Sequence, residues 1–168
     1  FKLHLDTDLR HENLNLNYHH YSLGFHYLFL EKWSFGLFYR TSFKLKKNNW
    51  TTEHRYYYQI ERKGKLPLIK WRIRDRIEIR NQNRYSIRNR IRFLLTTSHP
   101  LLKITPFMGN EFFINMSDKS YSKNWFFIGI KLPESWIFRP SIYYKNTNTK
   151  KNGTWSSPNH MITFKINI

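Results

Sequence analysis

Apolar and polar residues alternate at every second position along most of the chain, and this pattern restricts the fold more than any other feature of the sequence. In residues 69–80 the two sets separate by parity, with the exception of position 75. The apolar set is Ile69, Trp71, Ile73, Ile77 and Ile79, and the other parity carries Lys70, Arg72, Arg74, Arg76, Glu78 and Arg80. Side chains two residues apart share one face of a β-strand, whereas a helix would spread them around its surface. The sequence therefore predicts an all-β chain.

About ten strands are expected, within a range of about 8 to 12, each near the length that a tilted membrane-crossing strand needs. The predicted spans are 1–10, 14–30, 33–45, 51–63, 68–81, 84–96, 102–116, 123–132, 136–147 and 157–168. Short turns, such as residues 31–32 and 63–65, alternate with longer polar loops, such as residues 46–49 and 117–122. This alternation is typical of an antiparallel up-and-down transmembrane β-barrel. A shift in the pattern near His19 and His20 predicts a β-bulge there.

The whole chain, residues 1–168, is predicted to form this single barrel domain. Its mean hydropathy is -0.69, and it has no apolar run near the roughly 20 residues that a spanning helix requires. A barrel avoids that requirement because only alternate residues face lipid. The expected location is the bacterial outer membrane, with both termini on the periplasmic side because the strand number is even. The expected partners are membrane lipid and lipopolysaccharide, with other outer-membrane proteins as further candidates.

Charge is the second strong feature, since 29 Lys and Arg residues against 11 Asp and Glu residues give a net charge of +18. With the apolar parity turned toward lipid, the strand charges fall on the side that faces the lumen. The predicted lumen network consists of Arg40, Arg55, Arg72, Arg74, Arg76, Arg88, Arg90, Arg92, Glu53, Glu61, Glu78 and Glu111. One interpretation is that these side chains fill and rigidify a narrow barrel. The other is an anion path, because cations outnumber carboxylates there.

Two polar residues break the parity rule. Asp75 lies between Ile73 and Ile77 on the predicted lipid face, and Asn89 lies between Ile87 and Ile91 on the next strand. One interpretation is a local bulge or a position near the lipid headgroups. The other is a contact with a partner protein in the membrane, since polar groups buried there need partners.

Several segments resemble an uncharacterised domain-of-unknown-function family of bacterial outer-membrane β-barrels. The segments are Glu53-His54-Arg55, residues 72–80, Arg88-Asn89-Arg90-Ile91-Arg92, residues 110–115 and the strand that begins at Asn159-His160. The resemblance runs from about Trp50 onward. It implies a barrel fold and an outer-membrane location, and it implies no particular activity.

The predicted function is a non-enzymatic outer-membrane barrel, either a narrow Arg-lined channel or a structural or accessory subunit of a larger complex. An alternative is a barrel hydrolase acting on lipid or peptide, for which His20 and Ser22 share a strand face and Asp6, Asp8 or Glu53 would be the orienting acid. A soluble nucleic-acid-binding β-protein is disfavoured, because basic and aromatic residues mostly take opposite parities. No catalytic residue is assigned. No metal site or cofactor is expected, since the chain has no Cys and no Gly-rich phosphate loop.

Overall fold

The computed structural model describes residues 1–12, 15–46, 49–82, 84–97, 104–117, 119–133, 139–151 and 153–167. The described residues form strands and no helices. The strands are β1 (Lys2–Glu12), β2 (Asn15–Leu30), β3 (Trp33–Lys46), β4 (Asn49–Lys65), β5 (Ile69–Asn81), β6 (Tyr85–Thr97), β7 (Thr105–Asn115), β8 (Ser120–Lys131), β9 (Arg139–Lys151), β10 (Thr154–Trp155) and β11 (Asn159–Asn167). None of the described residues belongs to a helix long and apolar enough to span a membrane.

The strands follow one another in a single antiparallel sheet, in the order β1 to β10, with β11 paired to β9. Because β10 has only two residues and extends a hairpin from the end of β9, the sheet has ten long strands. This confirms the predicted all-β, antiparallel, up-and-down arrangement. The strand pairings described do not join the two edges of the sheet, so its closure into a barrel stays a prediction.

The strand bounds agree with the sequence pattern in the middle of the chain and differ at several ends. Strand β9 continues to Lys151, beyond the predicted strand end at residue 147. Strand β8 begins at Ser120, and Lys119 before it has a positive φ of 50°. Position 14, residues 102–103, residues 136–138 and position 168, all at predicted strand ends, lie outside the described residues.

The irregularities of β2 lie near the predicted bulge but not at it. His19 and His20 pair in regular register with Leu9 and Asp8 of β1. The register shifts one step farther along, between Arg10 and His11, and again on the other side of β2 between Leu28 and Leu30. The predicted position of the bulge, at His19 and His20, is therefore wrong. The adjacent polar residues there interrupt the alternating sequence pattern without interrupting the pairing of β1 with β2.

The described chain divides into two compact units that share strands. Unit 1 contains Phe1–Glu61, Asp75–Asn89 and Asn115–Lys119, and unit 2 contains Arg62–Arg74, Arg90–Ile114 and Ser120–Ile168. Each unit takes parts of the same long strands, so the predicted single domain stays a prediction.

Register places large apolar side chains opposite one another on one face of each unit, named here the apolar face. In unit 1, Leu5 pairs with Leu23, and Leu23 pairs with Tyr39. In unit 2, Ile128 pairs with Tyr144, which pairs with Ile162. These side chains are exposed. Cross-strand pairs of this kind stabilise a sheet, but here they lie on the side that is not covered by protein.

The opposite side of the strands, named here the polar face, is the buried one. Its buried residues include Ser22, Phe38, Tyr57, Gln59, Glu61, Arg76, Glu78, Arg90, Glu111 and Phe113. The burial pattern is thus the reverse of that of a water-soluble sheet, in which the apolar side is covered and the polar side faces water.

Candidate functional site

The carboxylate of Glu78 is the centre of the polar face in unit 1. It has no exposed surface. Arg88 donates to its Oε2 through Nη2 and Nε, at 2.5 and 3.0 Å. The guanidinium groups of Arg55 and Arg76 lie 3.7 Å from it, one on each carboxylate oxygen. Strands β4, β5 and β6 thus bring three cations onto one buried carboxylate, because Arg55, Arg76 and Arg88 share its face.

A second carboxylate of unit 1, Glu53, is held by two arginines. Arg80 donates to both oxygens in a fork, from Nε to Oε1 at 2.7 Å and from Nη2 to Oε2 at 2.8 Å. Arg55, two residues along β4, donates to Oε1 from Nε and Nη2, at 3.0 and 2.7 Å. Such planar pairs are the strongest and most directional of protein ion pairs. Arg55 therefore links the Glu53 and Glu78 clusters.

Aromatic rings fill the polar face of unit 1 beside these ion pairs. Phe38 is buried and stacks on Tyr57, and the rings of His4 and His26 lie nearly perpendicular to the Phe38 ring. The Arg76 guanidinium lies 4.3 Å from the Tyr57 ring centroid and donates two hydrogen bonds to Gln59 Oε1, at 3.1 and 2.7 Å. The Arg76 guanidinium is thereby held between the Tyr57 ring and the Gln59 side chain.

The residues considered for hydrolysis make a different set of contacts. His20 is buried, and its Nε2 lies 2.9 Å from Asp6 Oδ2 while its Nδ1 lies 3.1 Å from the Tyr18 hydroxyl. The Ser22 hydroxyl lies 3.1 Å from the Tyr57 hydroxyl. Both nitrogens of His20 thus have partners other than Ser22, and the serine–histidine pair that acyl transfer needs is not assembled. Arg40 donates to Asp6 Oδ2 at 3.1 Å, so that Asp6 serves as a counterion.

In unit 2 the corresponding centre is Glu111 of β7, which also has no exposed surface. Its Oε1 accepts hydrogen bonds from Arg74 Nη2 at 3.0 Å and from Arg90 Nε at 3.1 Å, and the Arg90 Nη2 atom lies 2.8 Å away. Its Oε2 accepts a hydrogen bond from Arg92 Nη2 at 2.6 Å. Three guanidinium groups surround one carboxylate, so this cluster has an excess of positive charge.

Cations of unit 2 also contact aromatic rings. Arg90 lies 4.7 Å from the Phe113 ring centroid, and Arg92 lies 5.6 Å from that of Phe127. Three cations lie near the Trp125 ring, with Lys145 closest at 4.0 Å. Trp125 thus belongs to the polar face. Sequence alone did not indicate these contacts, because the arginines lie on β6 whereas the rings lie on β7 and β8.

The remaining predicted residues of the network differ in exposure. Glu61 is buried on the polar face of β4, whereas Arg72 at the beginning of β5 is exposed. Among the described residues, no group of three or more His, Cys, Asp or Glu side chains could hold a metal ion.

Asp75 and Asn89, the two residues that break the parity rule, are brought together. Asn89 Nδ2 donates to Asp75 Oδ1 at 2.5 Å. Asp75 is exposed and Asn89 is buried. Asn89 Oδ1 is also buried, and it accepts no hydrogen bond from the residues that the structure describes.

One family model matches the chain over residues 1–157, and its description is "Protein of unknown function (DUF2490)". The match begins well before Trp50, where the sequence resemblance was expected to start. No curated protein matches the chain. No solved structure matches it either.

Proposed function

The chain belongs to the family of proteins of unknown function (DUF2490), and we propose that it is an integral, non-enzymatic β-barrel of the bacterial outer membrane. The observation that carries the proposal is the reversed burial of the sheet. Glu78 and Glu111 are 0% exposed, whereas Leu3, Leu5 and Ile162 are 74%, 73% and 77% exposed. In water this arrangement forfeits the main driving force of folding, whereas in lipid it is the favourable one.

The role that the polar face supports best is structural. Glu53, Glu78 and Glu111 are each held by two or three arginines, and aromatic rings occupy the space beside them. Interiors of small barrels are commonly filled by side chains in this way. The protein would then be a rigid barrel, acting as an accessory subunit of a larger outer-membrane complex.

A second candidate function, a narrow anion-selective channel, is favoured by the composition of the Glu111 cluster. Arg74, Arg90 and Arg92 together exceed the charge of Glu111, and Lys145 lies on the same face. Rings of Arg and Lys select for anions when they line a pore. The Arg92 side chain is 30% exposed, so it has surface that a passing anion could reach.

The partners proposed for this barrel follow from its two faces. The apolar face would contact membrane lipid. The exposed Lys150, near the end of β9, would face the outer leaflet and its lipopolysaccharide phosphates. Asp75 and Asn89 would contact another outer-membrane protein. Both chain termini would then lie in the periplasm, because ten long strands cross an even number of times.

The decisive experiment is membrane fractionation followed by electrophoresis of unheated and boiled samples. A barrel of this kind is expected in the outer-membrane fraction, with a mobility that changes on boiling because the folded form resists detergent. Recovery in the soluble fraction without a mobility change would overturn the proposal. Conductance in planar bilayers then separates the two candidates, since the structural barrel conducts nothing and the channel gives a reversal potential that favours anions. Arg92→Gln should weaken that preference, and Lys65→Gln, an exposed residue at the end of β4, is the matched control.

A further inference from the structure

The end of unit 1 where β3 and β5 finish contains a cavity lined entirely by polar side chains. Its volume is about 300 Å³, and its lining consists of Lys46, Glu53, Arg80, Gln82, Arg84 and Ser86. The volume is at the lower end of the range for pockets that bind small molecules. Three cations and one carboxylate surround it, so an anion is the ligand that its charge favours.

The single carboxylate of this cavity is already neutralised within the protein. Both oxygens of Glu53 accept hydrogen bonds from Arg80, and Oε1 also accepts from Arg55. The side chains of Lys46 and Arg84, in contrast, form no hydrogen bond or ion pair with the residues that the structure describes. Their charges are therefore available to a ligand, whereas the charge of Glu53 is not available to repel one.

The donors of the cavity suit a phosphoryl group. Lys46 supplies an ammonium group, Arg84 a planar guanidinium, Gln82 an amide and Ser86 a hydroxyl. A phosphoryl group has several oxygen acceptors arranged around one atom, so it can use cationic and neutral donors that converge from different strands.

The parity of the lining separates two sources of phosphoryl groups. Lys46, Glu53, Arg80 and Ser86 lie on strands, at positions that share the parity of the polar face. Lipopolysaccharide phosphates would approach a barrel from its apolar face, where Leu37 and Tyr39 of β3 point outward. A ligand on the polar face has to arrive from solution.

We propose that this cavity binds a small soluble ligand through a phosphoryl group, with Lys46 and Arg84 as its principal contacts. The proposal rests on the barrel assignment for the side of the membrane that the cavity faces and for a soluble source of the phosphoryl group. The anion contacts themselves belong to unit 1 and do not require conduction.

The test is titration calorimetry of the purified, detergent-solubilised protein with inorganic pyrophosphate as the probe. The double variant Lys46→Gln/Arg84→Gln removes the two contacts and leaves the Glu53 pairs in place. The matched control Lys2→Gln/Lys32→Gln removes the same charge from two exposed residues away from the cavity. Lys2 lies at the beginning of β1, and Lys32 lies just before the beginning of β3. Saturable binding by the wild type, weakened about tenfold or more in the double variant and unchanged in the control, is the expected result.

Three outcomes would overturn the proposal. They are the absence of saturable pyrophosphate binding, equal losses in the two double variants, and binding of lipopolysaccharide alone that depends on Lys46 and Arg84. Each is separate from failure of the barrel assignment, which fractionation and the mobility test decide. A protein that is an outer-membrane barrel but does not bind pyrophosphate contradicts only the cavity proposal.

Discussion

Phe38 lies parallel to Tyr57 on the polar face, with ring centroids 4.8 Å apart and an angle of 9° between the ring planes. Two glycines make this position accessible. A Cβ at Gly36 would meet the Phe38 ring, and a Cβ at Gly24 would meet both that ring and the backbone oxygen of Leu37. The stacked pair therefore depends on the absence of side chains on the neighbouring residues of the polar face.

Gly36→Ala is expected to lower the free energy of unfolding by about 1–3 kcal/mol, because the new methyl group overpacks the Phe38 ring. Phe38→Leu in the same chain should relieve most of that clash. Equilibrium unfolding of the two single variants and the double variant gives the coupling energy, which should be about 0.5–3 kcal/mol and favour the double variant. Additive effects would mean that Gly36 and Phe38 are not in contact.

A charge on the apolar face tests directly whether lipid covers it. Leu23 lies in the middle of β2 and is exposed. Leu23→Arg is expected to destabilise a membrane-embedded barrel by about 2–4 kcal/mol, and Leu30→Arg at the strand end by about 0–1 kcal/mol. Unfolding in lipid vesicles measures both. If water covers this face, both changes should stay within about 0.5 kcal/mol, as surface substitutions usually do.

Removing the charge of Glu78 should be far more damaging than removing a charge from a turn. Glu78→Gln keeps the shape of the side chain but leaves Arg55, Arg76 and Arg88 around a neutral group. Loss of one partner from a buried ion pair costs about 3–5 kcal/mol. Glu31→Gln, in the exposed turn between β2 and β3, is the matched control and should change stability by less than about 0.5 kcal/mol. Equally small effects at both positions would show that the Glu78 cluster is solvated.

Parity alone predicts much of this molecule, because a period of two fixes the face on which a strand residue lies. Parity predicted that Glu78 and Arg88 lie on one face of their strands and that Ile77 and Ile87 lie on the other. Parity does not fix register between strands, so it could not predict that Arg88 donates to Glu78 or that Arg92 donates to Glu111.

Bulky residues of the polar face were the other feature that parity could not resolve. Phe38, Phe113 and Trp125 are apolar or aromatic residues on the charged side, and their packing on arginines or other rings depends on three-dimensional neighbours. Cation–π contacts and aromatic stacking have no fixed sequence spacing between strands. The bulge of β2 was predicted at the wrong position for the same reason, because a bulge depends on how neighbouring strands pair.

The contact between Asn89 and Asp75 leads to the last prediction. Asn89 Nδ2 donates to Asp75 Oδ1, but Asn89 Oδ1 is buried and accepts nothing from the described residues. Asp75, in contrast, is exposed on the apolar face, where a carboxylate facing lipid is costly unless it is paired, so a donor from a neighbouring membrane protein would stabilise this site. We expect Asp75→Leu/Asn89→Leu to keep the heat-dependent mobility of the barrel, since two apolar groups replace a matched polar pair.

The same double variant should lose the higher-mass band that the wild type gives on a native gel of mildly solubilised membranes. Ile73→Leu, on the same strand and the same face, is the matched control and should keep that band. If the wild type runs as a monomer, or if the double variant keeps the higher-mass band, Asp75 and Asn89 pair only with each other. In that case unfolding of the two single variants and the double variant would still give a coupling energy of about 0.5–3 kcal/mol between Asp75 and Asn89, because they share a hydrogen bond.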